Sequence, residues 1–182
     1  MIKYIKPKYF IFFLKALFLK LRYLGRVDIT FPFLGLEKDV NIVIEQAGFI
    51  KFSKINYFYR HCDILAVGGK IKFGYNCAFN KNCTIVSRYE IEIGNNCMFG
   101  PNVSIYDHDH RFDKQDLPFN QQGYKGAKIL IGNNVWVGAN VFISAGVIIG
   151  SNVVVAANSV VTKDVADGVI VAGVPARKIN RG

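Results

Sequence analysis

Apolar and polar positions recur every six residues between 129 and 165, where the chain reads ILIGNN, VWVGAN, VFISAG, VIIGSN, VVVAAN, SVVTKD and V. A branched apolar residue opens nearly every unit, at Ile129, Val135, Val141, Val147, Val153 and Val165; Ser159 is the exception. A second apolar residue follows two places on, at Ile131, Val137, Ile143, Ile149, Val155 and Val161. Neither the period of a plain strand nor that of a helix fits this pattern. A short strand plus a turn, repeated, does fit, and it predicts a solenoid of parallel strands. The unit openers then face a shared interior. Gly and Asn take the turns, where positive φ costs them little.

The same beat starts at Ile71. Ile71, Cys77 and Cys83 open units, with Phe73, Phe79 and Ile85 two places on. Residues 87–90 add two positions, and the beat resumes at Ile91, Cys97 and Val103, followed by Ile93, Phe99 and Ile105. Three units make a triangular coil, so Ile71 stacks on Ile91, Cys77 on Cys97 and Cys83 on Val103, at the ~4.8 Å spacing of parallel strands. The same count lays Trp136 over Met98 and Met98 over Ala78. After Ile105 the beat fails, and the next opener, Ile129, comes some 20 residues late. The interruption, YDHDHRFDKQDLPFNQQGYKGAK, is polar and holds two of the chain's three His. Long excursions from compact folds generally serve function, which makes this loop the candidate wall of an active site.

Residues 27–70 carry strand-like pieces at 41–45, 48–52 and 63–67, broken by Phe31-Pro32-Phe33 and Gly35. They read as imperfect opening coils that cap the interior. Tyr57, Phe58 and Tyr59 suit packing in that cap, with stacking on an acceptor as the alternative. Residues 9–24 predict a helix. Phe10, Phe13, Leu14, Leu17, Phe18, Leu21 and Leu24 recur on one face, and Gly25 is its stop. Lys3, Lys6, Lys8, Lys15, Lys20 and Arg22 supply charge with no acid among them. The apolar run is too short and too interrupted to span a bilayer, and its internal basic residues disfavour a cleaved signal peptide. Two expectations follow for its apolar face. Either it packs on the solenoid or a neighbouring subunit, or it lies on an anionic membrane surface as a peripheral contact. The chain thus divides into a basic amphipathic helix, 1–26, and a solenoid domain, 27–182, ending in a basic tail of Arg177, Lys178 and Arg181.

The net charge of +10 admits nucleic acid, anionic lipid or a phosphate-bearing small molecule as partner. No nucleic-acid motif is present and the basic residues are scattered outside the N-terminus, so nucleic acid is set aside. Cys77, Cys83 and Cys97 open units, where the interior takes a small apolar group. They read as buried thiols, and with no secretion signal before them the expected compartment is a reducing cytoplasm.

These repeats resemble the hexapeptide-repeat acyltransferases, and among them the maltose/galactoside/Nod-factor O-acetyltransferase branch with its polysaccharide-cluster relatives. The resemblance covers residues 71–180. It is carried by FNKNCTIV around Asn80, by GPNVSIYDHDHRFD at 100–113, and by NNVWVGAN, AANSVVTKD and AGVPAR between 133 and 177. It implies an all-β fold, a left-handed parallel β-helix with a protruding loop near 106–128 and a short N-terminal helix, assembled as a homotrimer with active sites between subunits. The implied reaction moves an acetyl group from acetyl-CoA to a hydroxyl of a saccharide, directly in a ternary complex and with no metal.

The family's catalytic motif, laid without gaps on 101–113, implies a general base at His110 and a following acid at Asp113, with Arg111 where the family usually has Pro. His108 falls where the family ordinarily has no His and is the alternative base. A base with pKa near working pH suits the task, because a sugar hydroxyl is a poor nucleophile until its proton is taken. Asp107, Asp109 and Asp113 are each in reach to orient the imidazole. Asn80 matches a residue that contacts acceptor or intermediate. Gly138 and Ala139 match the place beside the thioester, where fixed N–H groups meet an oxyanion; several relatives carry Ser at the Ala139 position. Gly138, Ala157, Thr162 and Lys163 match the backbone that holds pantetheine. Trp136 either lines that groove or fills a depression between subunits. Lys163, Arg177 and Lys178 match the cations that meet the coenzyme phosphates.

Other readings stand beside this one. His108 and His110 share a strand face and so suit a metal. An N-acetyltransferase acting on an amino sugar would carry the same repeats, and so would a non-catalytic trimeric scaffold.

Overall fold

Three parallel sheets run along the chain, each taking one strand from successive coils. The computed structural model describes residues 7–31 and 34–180; Lys3, Lys6, Pro32, Phe33 and Arg181 lie outside them. The first sheet contains Val27–Ile29, Phe49–Phe52, Lys70–Phe73, Glu90–Ile93, Ile129–Ile131 and Ile148–Ile149. The second runs from Leu34–Leu36 through Asn56–Phe58, Ala78–Phe79, Met98–Phe99, Trp136–Val137 and Val154–Val155 to Ile170–Ala172, with Arg177–Ile179 added antiparallel at the end. The third runs from Asn41–Glu45 to Val160–Val161. The result is a parallel β-helix of triangular section. The expected stacking holds: Ile71 pairs with Ile91, Ala78 with Met98, and Met98 with Trp136.

Residues 27–70 depart from the expectation of imperfect coils. They form coils in register with the rest, pairing Val27 with Ile50 and Ile50 with Ile71. The offset between stacked residues is 23 and then 21 there, 20 from Ile71 to Ile91, 38 from Ile91 to Ile129, and 18 from Leu130 to Ile148. Longer corners blur the beat of six without disturbing the stacking. Inside, aromatic rings continue the column: Phe52 on Phe73 at 5.1 Å, Phe58 on Phe79 at 4.7 Å and Phe79 on Phe99 at 4.3 Å. Of the neighbouring tyrosines, Tyr57 meets the Phe12 ring and donates its hydroxyl to Glu37, and Tyr59 leans on Tyr57.

Corners repeat as well. Asn76, Asn96, Asn134 and Asn152 hold φ near +57, +58, +54 and +58°. The Asn76 side-chain amide donates to Asn96 at 2.8 Å, and that of Asn134 to Asn152 at 2.8 Å. Ile55 occupies the same column one coil below Asn76, at φ +61°. A β-branched residue there is strained, because Cβ crowds the carbonyl. The unit glycines do a different job from the one expected of them. A Cβ on Gly94 would sit 2.5 Å from the Gly132 carbonyl oxygen, so close coil approach, not positive φ, requires glycine there. Ser159, the exception among the openers, is buried, and its hydroxyl accepts the Gly173 N–H at 3.1 Å.

The four thiols are buried and unpaired. Each donates to a carbonyl of the adjoining coil: Cys62 to Asn80, Cys77 to Gly94, Cys83 to Gly100 and Cys97 to Gly132, all at 3.1–3.2 Å. The neighbouring Cys97 thiol and burial push the Cys77 thiol up; the Cys62 thiol and burial do the same for Cys83.

The helix spans Pro7–Arg22 and lies against Val27–Ile29 and Leu34–Leu36, the strands of the first coil. Its buried stripe is Phe12, Ala16, Leu19 and Tyr23. The Lys15 ammonium donates to the Leu36 and Glu37 carbonyls at 2.9 and 2.8 Å, and the Tyr23 hydroxyl to the Ile42 carbonyl at 3.1 Å. The helix thus closes the end of the solenoid and meets carbonyls that have no coil beneath them. The face with Phe10, Phe13, Leu14, Leu17, Phe18, Leu21 and Leu24, for which packing on the solenoid or a neighbouring subunit and contact with a membrane surface were the two expectations, does not pack on this chain's own solenoid and is exposed.

Two outcomes follow from the corners and the surface charges. Ile55→Asn relieves the strained corner and extends the Asn column, so a stability gain of about 1 kcal/mol is expected in denaturant melts; a loss would refute the strain. Glu92 has its carboxyl lowered from 4.5 to about 2 by hydrogen bonds from Lys72 and Lys128. Its contribution is complete above pH 4.5 and is lost as pH falls to about 2. Because the three side chains are partly exposed to solvent, the expected loss is at most ~1 kcal/mol, and it should vanish from the acid titration of Lys72→Met/Lys128→Met.

Candidate functional site

The late return of the beat is a hairpin. His108–His110 pairs antiparallel with Tyr124–Gly126, His110 opposite Tyr124 and His108 opposite Gly126. It leaves the solenoid at the edge between the third and first sheets. Its root is Asp107, a fully buried carboxylate. The carboxylate accepts the Ser87 hydroxyl at 2.7 Å, the Arg88 N–H at 2.8 Å and the Tyr89 N–H at 2.9 Å. Those three donors come from the two-residue insertion at 87–90, one coil below. The insertion is therefore the nest that holds the root of the loop. Gly126 is needed opposite, since a Cβ there would strike the Asp107 carbonyl oxygen.

The two imidazoles are held differently. His108 is nearly buried, with Nδ1 3.0 Å from Asp107 Oδ1. His110 is exposed, and its ring leans on Tyr124 with centroids 4.6 Å apart. Both rings touch Tyr124, so they do share a face. Arg88 covers the Tyr124 ring with Cζ 3.6 Å from its centroid, and its Nε is buried without a hydrogen-bond partner. Asp113 does not reach either imidazole: it pairs with Arg111 at 3.2 Å, and that guanidinium lowers its carboxyl. Of the three carboxylates expected to orient an imidazole, Asp107 takes His108, and none is hydrogen-bonded to His110 among the described residues.

A second constellation lies on another edge, between the second and third sheets. Trp136, Gly138, Ala139 and Ala157, with Gly100, Pro101 and three further apolar residues, line a groove of about 490 Å³. Asn80 sits on the same edge, one coil below Gly100. One corner position repeats along it as Lys81, Pro101, Ala139 and Ala157. The Lys81 N–H is taken by the Asn80 side chain at 2.8 Å, and Pro101 has none. The N–H groups of Ala139 and Ala157 donate to nothing among the described residues. Gly138 is bare because a Cβ there would lie 2.5 Å from the Ala157 nitrogen. Residues with open backbone donors therefore line an apolar groove together with Trp136.

A third feature closes the far end of the solenoid. Lys163, Arg177 and Lys178 share a cavity of about 270 Å³ with Asp164 and apolar residues of the last coil. Thr162 is exposed at the hairpin's edge of the prism. The chain thus gathers the predicted residues into three groups: His110 and Asp113 on one edge, Asn80 with Trp136, Gly138, Ala139 and Ala157 on a second, and the cations at the end. The roles of Tyr124 and Arg88 were not legible in sequence, because no repeat registers the hairpin against residue 88.

A parallel β-helix wound on a six-residue repeat is a fold with known relatives, and comparison with known proteins identifies them. Residues 128–163 match the bacterial transferase hexapeptide family (six repeats). Galactoside O-acetyltransferase of Escherichia coli is 44% identical over 112 residues, covering 62% of this chain and 54% of that protein. The crystal structure of a maltose O-acetyltransferase from Clostridium difficile superposes with a TM-score of 0.63 at 31% identity, covering 98% of this chain and 79% of that one. A galactoside acetyltransferase in complex with coenzyme A superposes at 0.59 with 36% identity, over 79% of this chain and 63% of that one. The chain belongs to the hexapeptide-repeat acyltransferases. It spans between half and two thirds of the length of most of the curated relatives it matches, the two galactoside O-acetyltransferases among them.

Removing the root of the hairpin tests its construction. Asp107→Ala leaves the half-buried Arg88 and Tyr89 N–H groups and the buried Ser87 hydroxyl without their acceptor, and a loss of about 2 kcal/mol is expected, with faster amide exchange across 124–127. An unchanged unfolding midpoint would exclude the anchoring role.

Proposed function

We propose that this protein transfers an acetyl group from acetyl-CoA to a hydroxyl of a saccharide, and that it does so as a homotrimer. The observation that carries the reading is the pair of unpaired amides at Ala139 and Ala157 on an apolar groove. The groove suits the amide-bearing pantetheine arm. Lys163, Arg177 and Lys178 suit the coenzyme phosphates, as multiple cations meet phosphate oxygens well.

Acetyl-CoA supplies the activated carbonyl and a thiolate leaving group. His110 takes the proton of the acceptor hydroxyl as that oxygen attacks the carbonyl carbon. The Ala139 N–H meets the negative charge that develops on the carbonyl oxygen. His110 then returns its proton to the departing sulfur, so no covalent acyl-enzyme is needed. The four cysteines are buried and do not serve as acyl carriers. Tyr124 and, through it, Arg88 position the His110 ring; Asn80 contacts the acceptor.

His110 and Ala139 lie on different edges of one chain. The reading therefore places each site between two copies, the hairpin of one against the groove of the next. Such a heterologous contact closes into a ring. Acceptors in a surface-polysaccharide pathway fit the galactoside and maltose enzymes among the relatives. Unpaired thiols suit the reducing cytoplasm.

The experiment uses the edges. His110→Ala is expected to lower kcat by ~10²–10⁴ with acetyl-CoA binding kept. Ala139→Pro removes one N–H and should cost ~10²–10³ in kcat; the fold tolerates it, because Pro101 already occupies the equivalent corner. Thiol release over a panel of saccharides measures both. Coexpressed, the two inactive chains should regain turnover in mixed oligomers, since some interfaces then join an intact hairpin to an intact groove. Mixed oligomers as inactive as their parents would overturn the shared site.

A further inference from the structure

We infer that the outward face of the N-terminal helix is a docking surface for an anionic lipid bilayer. An amphipathic helix needs one apolar stripe to pack on its own domain. This one has two. At about 100° per residue, the buried stripe of Phe12, Ala16, Leu19 and Tyr23 lies nearly opposite Phe10, Phe13, Leu14, Leu17, Phe18 and Leu21. The second stripe is open: Phe10, Phe18 and Leu21 are 62, 60 and 68% exposed. Phe31, from the following turn, leans on Phe13 at 5.6 Å and enlarges it. Soluble monomers rarely leave so large a contiguous apolar surface without a partner.

Charge identifies that partner. Between residues 7 and 26 stand Lys8, Lys15, Lys20, Arg22 and Arg26 and no acid. Lys8 and Arg22 run along one flank between the two stripes, where Lys15 is turned inward to the Leu36 and Glu37 carbonyls; Lys20 lies on the other, over the Phe31 ring at 5.2 Å. Cations on both shoulders of an apolar stripe, with stems long enough to lift their heads to the headgroups, are the arrangement of a helix lying in a membrane interface. In the opening coils Asp28 pairs with Lys51, Glu37 with Arg60 and Asp39 with His61. Two copies docked face to face would instead oppose one basic set with another. At 16 residues the helix is too short to cross a bilayer, and no helix among the described residues is long and apolar enough to do so. It lies on the surface, and the solenoid end it closes is held against the lipid. The inference stands apart from acetyl transfer, because it rests on the helix alone.

Flotation of the full-length protein with phosphatidylcholine vesicles, with and without phosphatidylglycerol, tests it. Flotation only with the anionic vesicles, falling as salt is raised, is expected. Phe18→Ser/Leu21→Ser should lower the bound fraction at least tenfold while keeping the melting temperature and coenzyme A binding of the parent. Absence of flotation, or equal flotation of the variant, would overturn the proposal. So would a lipid-free oligomer that the variant splits into smaller species, since the face would then be a contact between copies.

Discussion

Everything in this molecule depends on coils stacking in register. A strand here is two to five residues long and buries its inward side chains only against the coils above and below. Each interior position therefore belongs to a column, and a column tolerates little variation: phenylalanine on phenylalanine, cysteine beside cysteine, valine on isoleucine. The corners obey the same rule, since an asparagine at positive φ can bond its equivalent in the next coil only if both coils turn at the same place. Coil length is free within this rule. Apart from the 38 residues of the coil that carries the hairpin, offsets fall from 23 to 18 along the chain while the columns stay unbroken.

Because the coils are so constrained, departures from them are where chemistry is built. The hairpin is one departure, and the two extra residues at 87–90 are its counterpart. Neither is stable without the other: the insertion presents N–H groups with no coil partner, and Asp107 brings a buried charge that needs them. The edge amides are a subtler departure. At one corner position the N–H is capped by a side chain in one coil, absent in the next, and open in the two after that. Regular folding alone produces a row of donors that begins at Ala139.

The two ends differ in the same terms. The first coil has no neighbour beneath it, and the helix supplies one, with Lys15 and Tyr23 answering stray carbonyls. At the other end the chain folds back, and Arg177–Ile179 covers the last coil with basic residues. One end thus carries apolar surface and the other cationic surface, both consequences of ending a stack that would otherwise continue.

The beat of six, the column partners and the place where the beat fails were all legible in the residues, because stacking writes a period into the sequence wherever coils are of equal length. So were the buried thiols and the existence of the helix. The opening coils were not legible, since their longer corners break the period that short-range pattern can detect. The outward turn of the helix was hidden for a related reason. Both of its stripes are apolar, and only contact with the first coil decides which one is used. At the candidate site, sequence determined the residue types, His110, Asn80, Ala139 and the terminal cations. Tertiary structure alone decided their grouping: Asp113 goes to Arg111, Asp107 to the nest and His108, and the histidine hairpin and the open amides to separate edges. Residues far apart in a solenoid meet only through the count of intervening coils and the corner each one occupies, and that count is set by the fold.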